Sequence, residues 1–154
     1  MYKKILAPLD GSELSERSLE HIASIATGCN VPEVVLFGVV EPIPQAGEIN
    51  AFLGSDWEVE ANKQAVNWME KYLVDSADRL SSKGVKAKVA VAKGRAADEI
   101  LNYAGKNSVD LIIMSTHGRS GVVRWAMGSV ADKVVRHARS AVLIIPPHDR
   151  PSSK

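Results

Sequence analysis

The stretch from Met114 to Ser129 gathers the residue types best suited to holding an anion. It reads Met114-Ser115-Thr116-His117-Gly118-Arg119-Ser120-Gly121, runs on through Met127, and closes with Gly128-Ser129 ahead of a helical pattern. Glycines let backbone N–H groups come close to an anion, hydroxyls add donors, and a helix N-terminus supplies positive potential. Arg119 and Arg124 add screening charge at the rim. A second segment, Pro8-Leu9-Asp10-Gly11-Ser12, follows an apolar run and carries a carboxylate and a hydroxyl. On spacing alone, a phosphate cradle and an ordinary glycine turn before a helix fit equally well. There is no GxxxxGK[ST], so this is no P-loop, and no GxGxxG follows the first apolar run, which argues against a dinucleotide fold of that kind.

Other chemistry has less to stand on. His117 sits beside the loop, but the sequence places no Ser, Cys or carboxylate partner to complete a triad with it. His21, His137 and the pair Glu58 and Glu60 read as surface or packing residues. Cys29 is the single cysteine, which excludes an intrachain disulfide and a multi-cysteine metal site. Trp57, Trp68 and Trp125 are scattered and make no stacking platform for single-stranded nucleic acid. Lysine and arginine number 19 against 18 acids, a net charge of +1, so no general field attracts nucleic acid or membrane. The basic stretch Lys83, Lys86, Lys88 and Lys93 reads as a solvated sheet edge that resists strand addition.

The elements that must position the loop follow from hydrophobic period. With 45% apolar and 24% charged residues, the chain has the composition of a folded globular domain. Continuous apolar runs at Lys4 to Asp10, Val34 to Val40, Asp110 to Met114 and Ala141 to Ile145 read as buried strands. The alternating run Val85 to Val91 reads as a half-exposed edge strand. Helical stripes fall between them: Leu19, Ile22, Ala23 and Ala26, ended by Gly28; Val66, Met69, Leu73, Ala77 and Leu80, ended by Gly84; Ala97, Ile100, Leu101 and Ala104, closed near Gly105; and Val130, Val134 and Ala138. Ser12 is the expected cap of the first helix, and a long loop is expected from Pro42 to about Ser55. Alternating strands and helices with apolar strands predict a doubly wound five-stranded parallel sheet, order 3-2-1-4-5, with helices on both faces. The ligand crevice then lies at the carboxyl ends of strands 1 and 4, where both segments fall. One domain is expected over residues 1–147, with a flexible tail at 148–154. The N-terminal apolar run is too short for a signal-peptide core or a membrane span, so the cytoplasm is the expected location.

The chain resembles the universal stress protein family. The resemblance rests on Lys3-Lys4-Ile5-Leu6-Ala7-Pro8-Leu9-Asp10-Gly11-Ser12, the block Asp110 to Gly121, the helix start Gly128-Ser129-Val130-Ala131 and the closing strand Ala141 to Pro146. The ATP-binding branch carries Gly-x2-Gly-x9-Gly-Ser/Thr, which maps here to Ser115-x2-Gly118-x9-Gly128-Ser129, with serine in place of the first glycine. The resemblance implies ATP as ligand. It places Pro8 and Asp10 at the ribose or a phosphate-bound Mg or Mn ion, and the Val39 backbone at the adenine edge. Ser115, Thr116, His117, Gly118, Arg119, Ser120 and Gly121 would wrap ribose and phosphates, and Ser129, Val130 and Ala131 would donate to phosphate oxygens. Asp10 as a simple cap of the first helix turn is an equal reading when no metal is present. The resemblance also implies a homodimer through Ala141 to Ile145. The leading function is thus a nucleotide-dependent homodimeric stress-response module. A slow metal-dependent ATPase and an interaction dimer that binds no nucleotide are the alternatives; no general base or arginine finger is placed for hydrolysis.

Overall fold

The computed structural model describes residues 1–43, 56–116 and 127–146. Nine elements follow one another: β1 (Lys4–Pro8), α1 (Glu13–Gly28), β2 (Glu33–Val40), α2 (Asp56–Ser81), β3 (Ala87–Lys93), α3 (Ala96–Lys106), β4 (Leu111–Ser115), α4 (Ser129–His137) and β5 (Ala141–Ile145). The strands form one sheet in the order β3-β2-β1-β4-β5, and every neighbouring pair is parallel. This is the expected topology. Most of the expected long loop, and the expected tail at 148–154, lie outside the described residues.

The apolar strands are explained by the two cores that the sheet separates. Strand side chains alternate between faces, so Ile5, Ala7, Val34, Leu36, Leu111 and Ile113 meet α1 and α2. Leu6, Val35, Phe37, Ile112 and Met114 meet α3 and α4. A strand covered on both sides needs no polar face, and each fully buried Leu, Ile or Phe contributes about 1.5–3 kcal/mol. β3, at the sheet edge, keeps Lys88, Val89 and Lys93 exposed.

The helices end at or near the expected glycines, but at two of the three ends another residue takes the left-handed turn. α1 runs through Gly28, and Asn30 takes the left-handed backbone at φ +51°. Asn30 N–H bonds the Thr27 carbonyl and Val31 N–H bonds the Ala26 carbonyl. α3 likewise passes Gly105 to Lys106, and Ser108 at φ +52° is followed by Val109 N–H on the Ala104 carbonyl. Gly84 does end α2, at φ +82°, with Val85 N–H on the Leu80 carbonyl. All three share one device: a left-handed residue, then a valine whose N–H reaches back five residues. This also explains why β3 begins at Ala87 rather than Val85. Val85 alternates with the strand in sequence, but it is the buried closing residue of the helix cap.

Candidate functional site

β1 hands the chain to α1 on one face of the sheet, whereas β4 leads to α4 on the other. The carboxyl ends of these two adjacent strands therefore part around a crevice, as the winding rule requires. A cavity of about 190 Å³ lies there. Pro8, Leu9 and Asp10 wall it from β1, Ser115 and Thr116 from β4, and Gly128, Ser129, Val130 and Ala131 from the start of α4. Val39 and Phe37 of β2 and Ala96 and Ile100 of α3 complete the lining with Ser15 and Met114. Among the expected residues, His117, Gly118, Arg119, Ser120 and Gly121 lie outside the described residues. The other nine all line this cavity.

The α4 end is held in place by backbone. Gly128 N–H donates to the Thr116 carbonyl at 2.7 Å, and Thr116 N–H donates to the Ile145 carbonyl at 3.1 Å. Gly128 occupies the cap position with φ −59° and ψ 152°, and no side chain caps the helix among the described residues. The first turn of α4 thus lines the crevice, and positive potential gathers at that helix end.

Asp10 is tied into the β1 exit. Its Oδ1 accepts from Ser12 N–H at 2.9 Å, while Ser12 Oγ accepts from Ser15 N–H at 3.1 Å and caps α1. Ser12 is the helix cap, as expected, and Asp10 orders the turn before it. Ser115 is the last residue of β4, paired with Ile145. The non-glycine residues at positive φ are Asn30 and Ser108 among those described, so Ser115 sits on ordinary extended backbone.

Val39 lines the crevice, with its side chain packed on the α3–α4 core. The β1–β2 register ends at Pro8 opposite Phe37, and Leu9 N–H still bonds the Phe37 carbonyl at 2.9 Å. Polar backbone groups of a strand alternate sides, and the Val40 carbonyl accordingly points towards β3, where it accepts from Gly94 N–H. Val39 N–H and C=O therefore point to the β1 side, past the end of β1. Sequence reasoning missed Ser15, Phe37, Ala96 and Ile100. The apolar three match the core in type, Ser15 reads only as a helix residue, and only the sheet order brings α3 to the rim.

Residues 1–146 match the family model described as the universal stress protein family. The chain belongs to the universal stress protein family. Its relatives in the family include the universal stress protein MJ0531 of Methanocaldococcus jannaschii, 33% identical over 148 residues, which cover 94% of this chain and 82% of the relative. The solved structure of MJ0577 from the same organism superposes with a TM-score of 0.81 at 29% identity, over 97% of this chain and 99% of that one. A universal stress protein solved in complex with cAMP shares the fold at a TM-score of 0.68 and 21% identity, over 96% of this chain and 98% of that one. No helix among the described residues is long and apolar enough to cross a membrane.

Proposed function

We propose that this universal stress protein binds ATP in the crevice and acts as a nucleotide-dependent homodimeric module of the stress response. The observation that carries the reading is the uncapped start of α4, which lines the same cavity as Asp10 and Val39. A helix N-terminus suits phosphate oxygens. The strand-end N–H and C=O of Val39 suit the donor and acceptor edge of adenine. That one protein of this fold holds cAMP supports the same ligand class. Ser115, Thr116 and Ser129 line the same cavity and would offer hydroxyls to ribose and phosphates, with His117, Gly118, Arg119, Ser120 and Gly121 assigned to the loop around them.

The donor set fits a metal ion carried in with the phosphates. Among the described residues no three His, Cys, Asp or Glu side chains group to hold an ion by themselves. Mg²⁺ characteristically needs only one or two carboxylates plus substrate phosphates, and Asp10 is the carboxylate on this cavity. The ion would neutralise phosphate charge there.

Calorimetric titration of ATP with Mg²⁺ into the full chain tests the reading. The parent should bind, and a hundredfold excess over the dissociation constant should stabilise it by about 2.7 kcal/mol. Gly128→Val puts a branched side chain where phosphate must meet backbone, so it should abolish binding and leave the melt of the unliganded protein within a few degrees of the parent. Equal ATP affinity in parent and variant would reject the phosphate assignment.

A further inference from the structure

The 190 Å³ cavity falls short of the roughly 300–1,000 Å³ of ordinary ligand sites. It does not end at β2. A second cleft of about 660 Å³ adjoins it on the α2 side and shares Asp10, Val39 and Ala96 with it. Its outer wall is Trp68 and Met69 of α2. The two compartments meet at the end of β2, where Val39 lines both, so whatever Val39 holds lies at their seam.

The indole of Trp68 is fixed rather than floating. Tyr72, one helical turn on, stacks on it with ring centroids 5.5 Å apart and planes 3° from parallel. Its benzo edge packs onto Gly11, where any Cβ would overlap the ring. Gly11 has φ +81°, so this glycine serves both a turn and a close approach. Even so, 49% of Trp68 remains exposed, an unusual amount for a large ring so tightly seated. A preorganised aromatic surface beside a crevice is a stacking surface for a planar ring. Charge sets the ligand's direction. Glu41 lines the second compartment and not the first and repels phosphate, whereas the α4 N-terminus in the first attracts it.

From this juxtaposition we propose that Trp68 is a base-contact residue, against which the purine ring of a bound nucleotide stacks from the seam at Val39. The inference rests on the nucleotide reading above and adds a specificity: purines over pyrimidines, because the larger ring offers more surface to stack on the indole. Phosphates contribute nothing to this contact.

Two measurements on the full chain decide it. In Trp57→Phe/Trp125→Phe protein, Trp68 is the single tryptophan; saturating ATP should quench its emission, and inorganic tripolyphosphate should not. In calorimetry, Trp68→Leu should weaken ATP on the order of tenfold, leave tripolyphosphate affinity unchanged and narrow the preference for ATP over CTP. Trp68→Phe, which keeps a ring over Gly11, should recover most of the loss. If the single-tryptophan protein binds ATP with Trp68 emission unchanged, or Trp68→Leu keeps both the affinity and the purine preference, the base contact is wrong while the nucleotide reading stands. If the parent binds no ATP, both fail together.

Discussion

Ser115 is where this chain departs from the loop pattern of the ATP-binding branch, and its backbone decides what the departure means. A glycine is needed where φ is positive or where a Cβ would crowd a ligand. The first need is absent, because Ser115 ends β4 on extended backbone in register with Ile145. Only the space beside the ligand is left, and serine adds little to it. Its hydroxyl is also a donor and acceptor on the cavity wall. Ser115→Gly should therefore change ATP affinity less than tenfold, which is about 1.4 kcal/mol, while Ser115→Leu should block the site by bulk. Calorimetric titration of the three proteins tests this. Binding by the glycine variant alone would place the chain with the branch that takes no nucleotide. At this scale the sequence marked the polar and small residues of the crevice, because donors and glycines are rare enough to notice. It set Trp68 aside as one of three scattered tryptophans, because the place of that ring depends on where α2 lands against Gly11.

Elements end where a residue accepts the left-handed backbone, and glycine is not always the one that does. Gly28 and Gly105 had the expected composition, yet the turns close at Asn30 and Ser108. Each is followed by a valine that caps the helix and enters the core. Hydrophobic period locates a helix well, but the closing position depends on the bond that valine makes, which a stripe does not reveal. Strand order was legible because four of the runs were apolar throughout. The start of β3 was not, since Val85 imitates strand alternation. Ser108 has no side-chain advantage at φ +52°, so Ser108→Gly should raise stability by about 1 kcal/mol, a rise of roughly 2–4 °C in Tm; thermal melts would show it. A further element contact depends on pH. Asp110 Oδ2 accepts from the backbone N–H groups of Lys3 and Lys4, each at 2.8 Å, pinning the chain ahead of β1 beside the start of β4. These bonds hold the Asp110 carboxyl below its usual range. A folded pKa below the unfolded one stabilises the native state above about pH 4 and is lost as pH falls through the folded value. Asp110→Asn should thus lower the urea midpoint at pH 7, with the gap from the parent closing as pH drops below about 4. A gap that persisted unchanged at pH 3 would show that charge has no part in the contact.

The two edges of the whole sheet are built differently, and that difference predicts how copies associate. β3 carries exposed Lys88 and Lys93 along its length, and a lysine brought against a second strand must give up its hydration. β5 reads Ala141-Val142-Leu143-Ile144-Ile145 and pairs with β4 on one side, with no charge along it. Its side chains pack into both cores, so the strand is held extended, the state in which an edge that no further strand among the described residues covers most readily recruits another. A closed two-fold pairing of β5 with its copy satisfies both edges at once, whereas a head-to-tail contact would leave one edge open to continue a fibre. The full chain at micromolar concentration should accordingly scatter light with twice the chain mass. Ala141→Lys, at an exposed position of β5, should shift that mass to one chain without disturbing the core. Ile144→Lys should do the same with a loss of stability, because Ile144 packs against the α3–α4 face. Val89→Lys, on the exposed part of β3, should leave the mass at two. A parent that scatters as a single chain would remove the β5 interface, and loss of the dimer by Val89→Lys alone would move it to the opposite edge.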